Sequence, residues 1–185
     1  RGRLEEAGVV QRDGTIYLGK YSPKDRDGIS LGKIFNVYAA PKDLPEAIRY
    51  VDAVKHIARF LKNWNGFDGT NYATDKELYK ALKDGSYTGG WIIPTSDILY
   101  GKDVSGNETM TDNLFAHRDT GAFRNTFNKT TVVGGSYFPG WYWSSTEHRD
   151  SPPGVWGVRF SDGNEEWNHK VNNRLSCRPV RLGSG

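Results

Sequence analysis

The stretch from Trp156 to Ser161 constrains the fold most. Trp156, Val158 and Phe160 alternate with Gly157, Arg159 and Ser161, a period of two that fits a strand. Asp162-Gly163 then turns the chain, and Glu165 to Lys170 reads as the return strand. The alternation predicts Trp156, Val158 and Phe160 facing the core, with Gly157 and Arg159 facing solvent. Trp143 also reads as core. Ser176 to Leu182 alternates again. Pro179 cannot donate to a ladder, so this segment lies at an edge or leaves the sheet there.

Upstream the period changes. Leu44, Ala47, Ile48, Val51, Val54, Ile57, Ala58, Leu61 and Trp64 recur at helical spacing, which predicts a helix over 43–64. Asp43 and Glu46 have the spacing of a capping box, and Gly66 is the stop. His56 reads as a boundary residue. A shorter helix is expected from Thr74, with Glu77 as box partner, to Gly85. Trp91-Ile92-Ile93 reads as a short buried strand, and Thr95 or Ser96 as the cap of a helical turn carrying Ile98 and Leu99. Asp13-Gly14, Thr15 to Leu18 and Ile34 to Tyr38 predict two early strands, and Lys24 to Gly28 a polar turn between them. Helix followed by alternating strands defines an α+β class.

Composition excludes several functions. The chain has 185 residues, enough for one domain with a core. With 25 basic and 22 acidic residues the net charge is only +3, and no Lys/Arg block stands out, so nucleic acid is not the expected partner. No run of 18 apolar residues exists, so direct membrane insertion is not expected. Cys177 is the one cysteine, which rules out an intrachain disulfide and reads as a small buried side chain. Residues 1–182 read as one domain, with Gly183-Ser184-Gly185 as a tail. Arg1 follows no Met or apolar leader, as expected of a trimmed or partial chain.

Several segments carry a resemblance. Trp143-Ser144-Ser145-Thr146-Glu147, then Val155 to Gly163, then Lys170, Asn173 and Arg178-Pro179-Val180-Arg181 resemble the C-type-lectin-like variable proteins of diversity-generating retroelements. The lectin-like C-terminal domain of the Legionella collagen-like adhesin belongs to the same family. Gly90-Trp91-Ile92-Ile93-Pro94-Thr95 is similar to the family's Trp-(Arg)-Leu-Pro-Thr segment, with Ile92 in place of Arg. The likeness covers residues 141–181 and, in part, 89–100.

The resemblance implies a C-type lectin fold, also that of formylglycine-generating enzymes, with mixed sheets, two helices and long loops. It implies a ligand- or receptor-binding protein without catalysis, displayed outside the cell on a virion or cell surface. Its partner would be a protein or glycan receptor. Error-prone copying would diversify a region at about 145–176, because those side chains sit on a solvent face. The face so implied contains His148, Arg149, Asp150, Gly157, Arg159, Glu165, Trp167, His169, Asn172 and Arg174. Arg178 and Arg181 match fixed family positions and are expected to be structural.

Other readings are weighed residue by residue. Trp167 also suits a half-buried strand position, and Arg159 a solvated charge. His148 and His169 lack the Cys or carboxylate spacing of a zinc site, so no metal and no cofactor are expected. Sugar-binding relatives hold calcium with Glu-Pro-Asn and Trp-Asn-Asp. This chain has no Glu-Pro-Asn, and it has Trp167-Asn168-His169, so calcium-dependent sugar binding is not expected. The enzyme relatives need a thiol pair, and Cys177 is alone. A fixed glycan-binding adhesin is the main rival, with Arg149, Arg159, Lys170 and Arg174 as candidate holders of sulfated sugars.

Overall fold

The computed structural model describes residues 5–60 and 68–184, and over these the chain is α+β. In chain order the elements are β1 (Ile16–Tyr21), β2 (Phe35–Ala39), β3 (Ile48–Arg49), α1 (Tyr50–Phe60), α2 (Asp75–Asp84), α3 (Ser96–Tyr100), β4 (Tyr137–Glu147), β5 (Gly154–Arg159), β6 (Glu165–His169), β7 (Arg174–Ser176) and β8 (Val180–Ser184). A single 3-10 turn covers Gly121–Phe123. The strands form a three-stranded sheet in the order β1-β2-β8 and a five-stranded sheet in the order β3-β7-β4-β5-β6.

Each face of the five-stranded sheet meets its own apolar cluster. On one side Tyr50, Ala53 and Ile57 of α1 pack with Trp91, Trp143, Val155, Leu175 and Cys177. On the other, Tyr142, Val158 and Phe160 join Leu78 and Leu82 of α2, Ile98 and Leu99 of α3, and Val37 and Leu182 of the small sheet. The α1 residues recur every three or four positions, and the β4 and β5 residues on each side every two. Each element thus offers its apolar stripe to one cluster.

Pro179 sits where the chain leaves one sheet for the other. It falls between β7 and β8, so its missing N–H disrupts no ladder. Its carbonyl accepts from the Ala40 N–H at 2.9 Å, and Cys177 O accepts from Leu44 N–H at 2.9 Å. Residues 176–182 therefore serve both sheets instead of forming one strand. Gly183 and Ser184 pair with Asn36 and Phe35 as part of β8, so they are not a tail. Strand pairing asks only for backbone groups, and Gly and Ser supply them.

Two helix expectations need correction. Helix α1 starts at Tyr50, not after Asp43, and the capping box is not formed. Asp43 has a different partner: its Oδ1 accepts from Arg178 Nε at 2.8 Å. Leu44 and Ala47 are buried as expected, but from an irregular segment. Leu61, Trp64 and Gly66 lie outside the described residues. In contrast, α2 follows Thr74 and ends at Gly85 in the left-handed conformation, φ 80°. Glu77 reaches back there, though to the Ala73 N–H, at 2.9 Å. Thr95 caps α3, accepting from the Ile98 N–H at 3.4 Å.

Trp91 and Ile92 make isolated bridges to Gly69 and Val180, so residues 91–93 are not a strand of either sheet. Trp91 is nevertheless fully buried.

Candidate ligand-binding face

The β5–β6 hairpin is the frame of the face. Gly163, at φ 79°, closes its turn by donating to Arg159 O at 2.7 Å. The register places Gly154 opposite His169, Trp156 opposite Trp167, and Val158 opposite Glu165. Residues directly opposite in a ladder share a face. Trp156 and Trp167 are therefore neighbours on one side of the hairpin, not an inward and an outward residue.

That side leaves the core at its end. Val158 and Phe160 are fully buried, whereas Trp156 is half-buried and Trp167 is 45% exposed. A Cβ added at Gly154 would meet Trp167 Cε3 at 2.3 Å, so the indole lies directly on the Gly154 backbone. The His148 ring completes the patch, 5.0 Å from the Trp156 centroid and 5.8 Å from that of Trp167. Trp156 Nε1 is shielded from solvent and has no hydrogen-bond partner among the described residues. The expected core position of Trp156 is corrected: the residue is half-buried, on the same side as Val158, with its ring against His148.

The other expected positions divide. Arg149 and Asp150 are exposed beside His148, with Arg149 donating to Ser105 Oγ at 2.6 Å. Glu165 and His169 share the Trp167 side and are half-buried. Burial pushes the Glu165 carboxyl up from its ordinary value. Asn172 and Arg174 are exposed, but Arg174 lines a hollow with Asp52 and His56 near the start of α1, away from the indoles.

Gly157 is a correction. It is buried, and a Cβ there would sit 2.8 Å from Leu175 Cδ2 and 2.9 Å from Asn168 Nδ2. Alternation alone put it toward solvent, but β5 is covered on both sides, so its outward face is a second inward one.

Arg159 shares the Gly157 side, is half-buried and is paired within the hairpin. Its Nε and Nη2 fork onto Asp162 at 3.0 and 2.5 Å, and its guanidinium lies 5.5 Å from the Trp141 ring. The hydrogen bonds from Arg159, helped by the Asn164 N–H, hold the Asp162 carboxyl down to about 2. A depressed folded pKa contributes stability above the unfolded carboxyl value of about 3.9. That contribution fades as pH falls through about 2. In an Arg159→Ser variant, NMR titration is expected to show Asp162 titrating at higher pH. An unchanged titration would mean that the fork contributes nothing.

Lys170 is likewise engaged, pairing with Glu147 at 2.8 Å, while Lys76 approaches the same carboxylate at 3.4 Å. Arg178 is fully buried and Arg181 nearly so, bonded to Asp43 and Asp13 respectively. Cys177 is fully buried, and burial pushes its thiol up. Among the described residues no group of three or more His, Cys, Asp or Glu could hold a metal ion. No helix of the described residues is long and apolar enough to cross a membrane.

The chain matches no protein-family model and no curated protein.

Proposed function

We propose that this chain is a recognition module of the C-type lectin type, a variable protein of a diversity-generating retroelement, and that it binds a receptor outside the cell. The observation that carries the reading is Trp167. Nearly half of this large residue stands in water, with its ring on the Gly154 backbone and 5.8 Å from that of His148, held by two paired strands. A rigid, exposed indole is the kind of residue that anchors interfaces. The polar residues around it, Arg149, Asp150 and Asn172, make few bonds to the scaffold, so exchanging them costs the fold little. The described part of the α+β fold, with its last strand returning beside the second, suits the lectin-type frame that the sequence resembles.

The adhesin alternative has less support. Of its four cations, Arg159 and Lys170 are already paired, and Arg174 lies apart from Arg149.

A display library tests the proposal. His148, Arg149, Asp150, Trp167, His169, Asn172 and Arg174 are randomised together, with a second library at Gly157 as internal control. Most clones of the first are expected to melt like the parent and to lose its binding to target cells. Clones with bulky residues at Gly157 are expected to lose about 1–3 kcal/mol through overpacking. General unfolding of the first library, or parental binding that survives it, would sink the reading. Sequencing the neighbouring genes separates the rival: a reverse transcriptase beside a near-copy of residues 145–181 marks a variable protein, and their absence a fixed adhesin.

A further inference from the structure

A cleft of about 550 Å³ opens between the Asp25–Gly28 turn and the exposed side of α2. That volume lies in the range of small-ligand sites, about 300–1,000 Å³. Lys76, Lys80 and Lys83 line it at helical spacing, so one face of α2 brings three lysines to it. Arg149 joins from the loop after β4, and Asp25 and Asp27 from the turn. Neither Lys80 nor Lys83 is in an ion pair among the described residues, and Lys76 has only its 3.4 Å approach to Glu147. Arg26 also borders the cleft but is committed to the buried Asp75 at 2.8 Å.

The mixed charge narrows the ligand. An anion with no hydrogen to give would be held by the lysines but repelled by Asp25 and Asp27. A sugar carrying one acid group suits both sets: the acid lies among the cations, and hydroxyls donate to the turn carboxylates. Asp25 Oδ1 already accepts from the Asp27 and Ile29 N–H groups at 2.9 Å each, which fixes the turn and leaves Oδ2 for a ligand. Leu31 supplies an apolar wall for the ring.

We infer that this cleft binds a saccharide of one or two rings bearing a single carboxylate. The inference goes beyond the recognition reading, since the cleft shares only Arg149 with the face and needs no retroelement.

Calorimetric titration of the intact chain tests it, with four probes: a sialic-acid-terminated disaccharide, a glucuronic-acid-terminated disaccharide, lactose and sodium sulfate. At least one acidic disaccharide is expected to bind with Kd of about 1 mM or tighter, and lactose and sulfate at least about tenfold more weakly. The double variant Lys80→Ser/Lys83→Ser should weaken that binding at least about tenfold, with an unchanged melt, since both side chains are exposed. Asp27→Asn distinguishes this site from simple charge attraction. Removing a negative charge would tighten a purely electrostatic site, whereas losing an acceptor for a hydroxyl weakens this one severalfold. Absence of heat with both acids, equal binding of lactose or sulfate, or tighter binding by Asp27→Asn would each overturn the inference.

Discussion

Replacing Arg178 with Met is expected to cost about 3–5 kcal/mol, the range seen when one partner of a buried ion pair is removed. Arg178 is fully buried. Its guanidinium reaches Asp43 Oδ1 at 2.8 Å, Thr126 O at 2.6 Å and Ala40 O at 3.2 Å, and its Cζ lies 4.0 Å from the centroid of the Phe127 ring. One side chain thus ties β2's exit, the Asp43 segment and the 121–127 turn to the crossing between the two sheets. Burial already pushes the Asp43 carboxyl up, against the pull of Arg178 and of the Tyr142 hydroxyl. Without Arg178 that carboxylate keeps only the tyrosine, and the Thr126 and Ala40 carbonyls lose a donor. Urea unfolding measures the loss. Adding Asp43→Asn should recover part of it, because the two residues form one network. A loss for Arg178→Met within about 0.5 kcal/mol, as at an ordinary surface position, would show that the node does not hold the sheets together.

The same node shows why part of the fold was not readable from sequence. Asp43 and Glu46 carry the capping-box spacing, and a local rule assigns them to a helix start. A guanidinium far along the chain claims Asp43 instead, because leaving that buried cation unpaired would cost more than the roughly 1 kcal/mol that a cap contributes. The hairpin of β5 and β6 was readable because its signal is local: alternation, then Asp162-Gly163, then alternation. Assignment of 176–182 to two sheets was not, since it depends on pairing with β2, which lies near the other end of the chain. Pro179 marked the break correctly, but no local feature says where the chain goes after it.

Exposure was partly readable: Arg149, Asp150, Trp167 and Asn172 are exposed, and the His148 and Trp167 rings lie 5.8 Å apart. The error at Gly157 came from giving β5 one wet face, when α1 and its cluster cover that side. The observed register centres between Ser161 and Asp162, one half-step before the Asp162-Gly163 pair, so counting from that pair alone would set Trp156 opposite His169. Either count puts Trp156 and Trp167 on the same side of the hairpin, because residues two apart on a strand share a face.

The two tryptophans that the sequence placed in the core are therefore expected to behave differently. Trp143 is fully buried, its Nε1 donates to Ile48 O at 2.6 Å, and its ring meets Tyr50 edge-on at 5.5 Å. Trp143→Ala should cost about 3–5 kcal/mol, from lost burial and the cavity left between α1 and the sheet. It also strands the Ile48 carbonyl at the short strand β3, so the start of α1 should loosen with it. Trp156 presents the opposite case. It is half-buried, and its Nε1 is shielded without a partner, a cost that its removal recovers. Trp156→Ala should cost no more than about 2 kcal/mol, by the area scale for a partly buried ring. The Trp156 ring lies 5.0 Å from that of His148, so under the proposed recognition role its loss should also disturb the patch. Chemical unfolding of both variants gives the comparison, and target-cell binding of Trp156→Ala gives its second half. A loss at Trp156 equal to that at Trp143 would return it to the core.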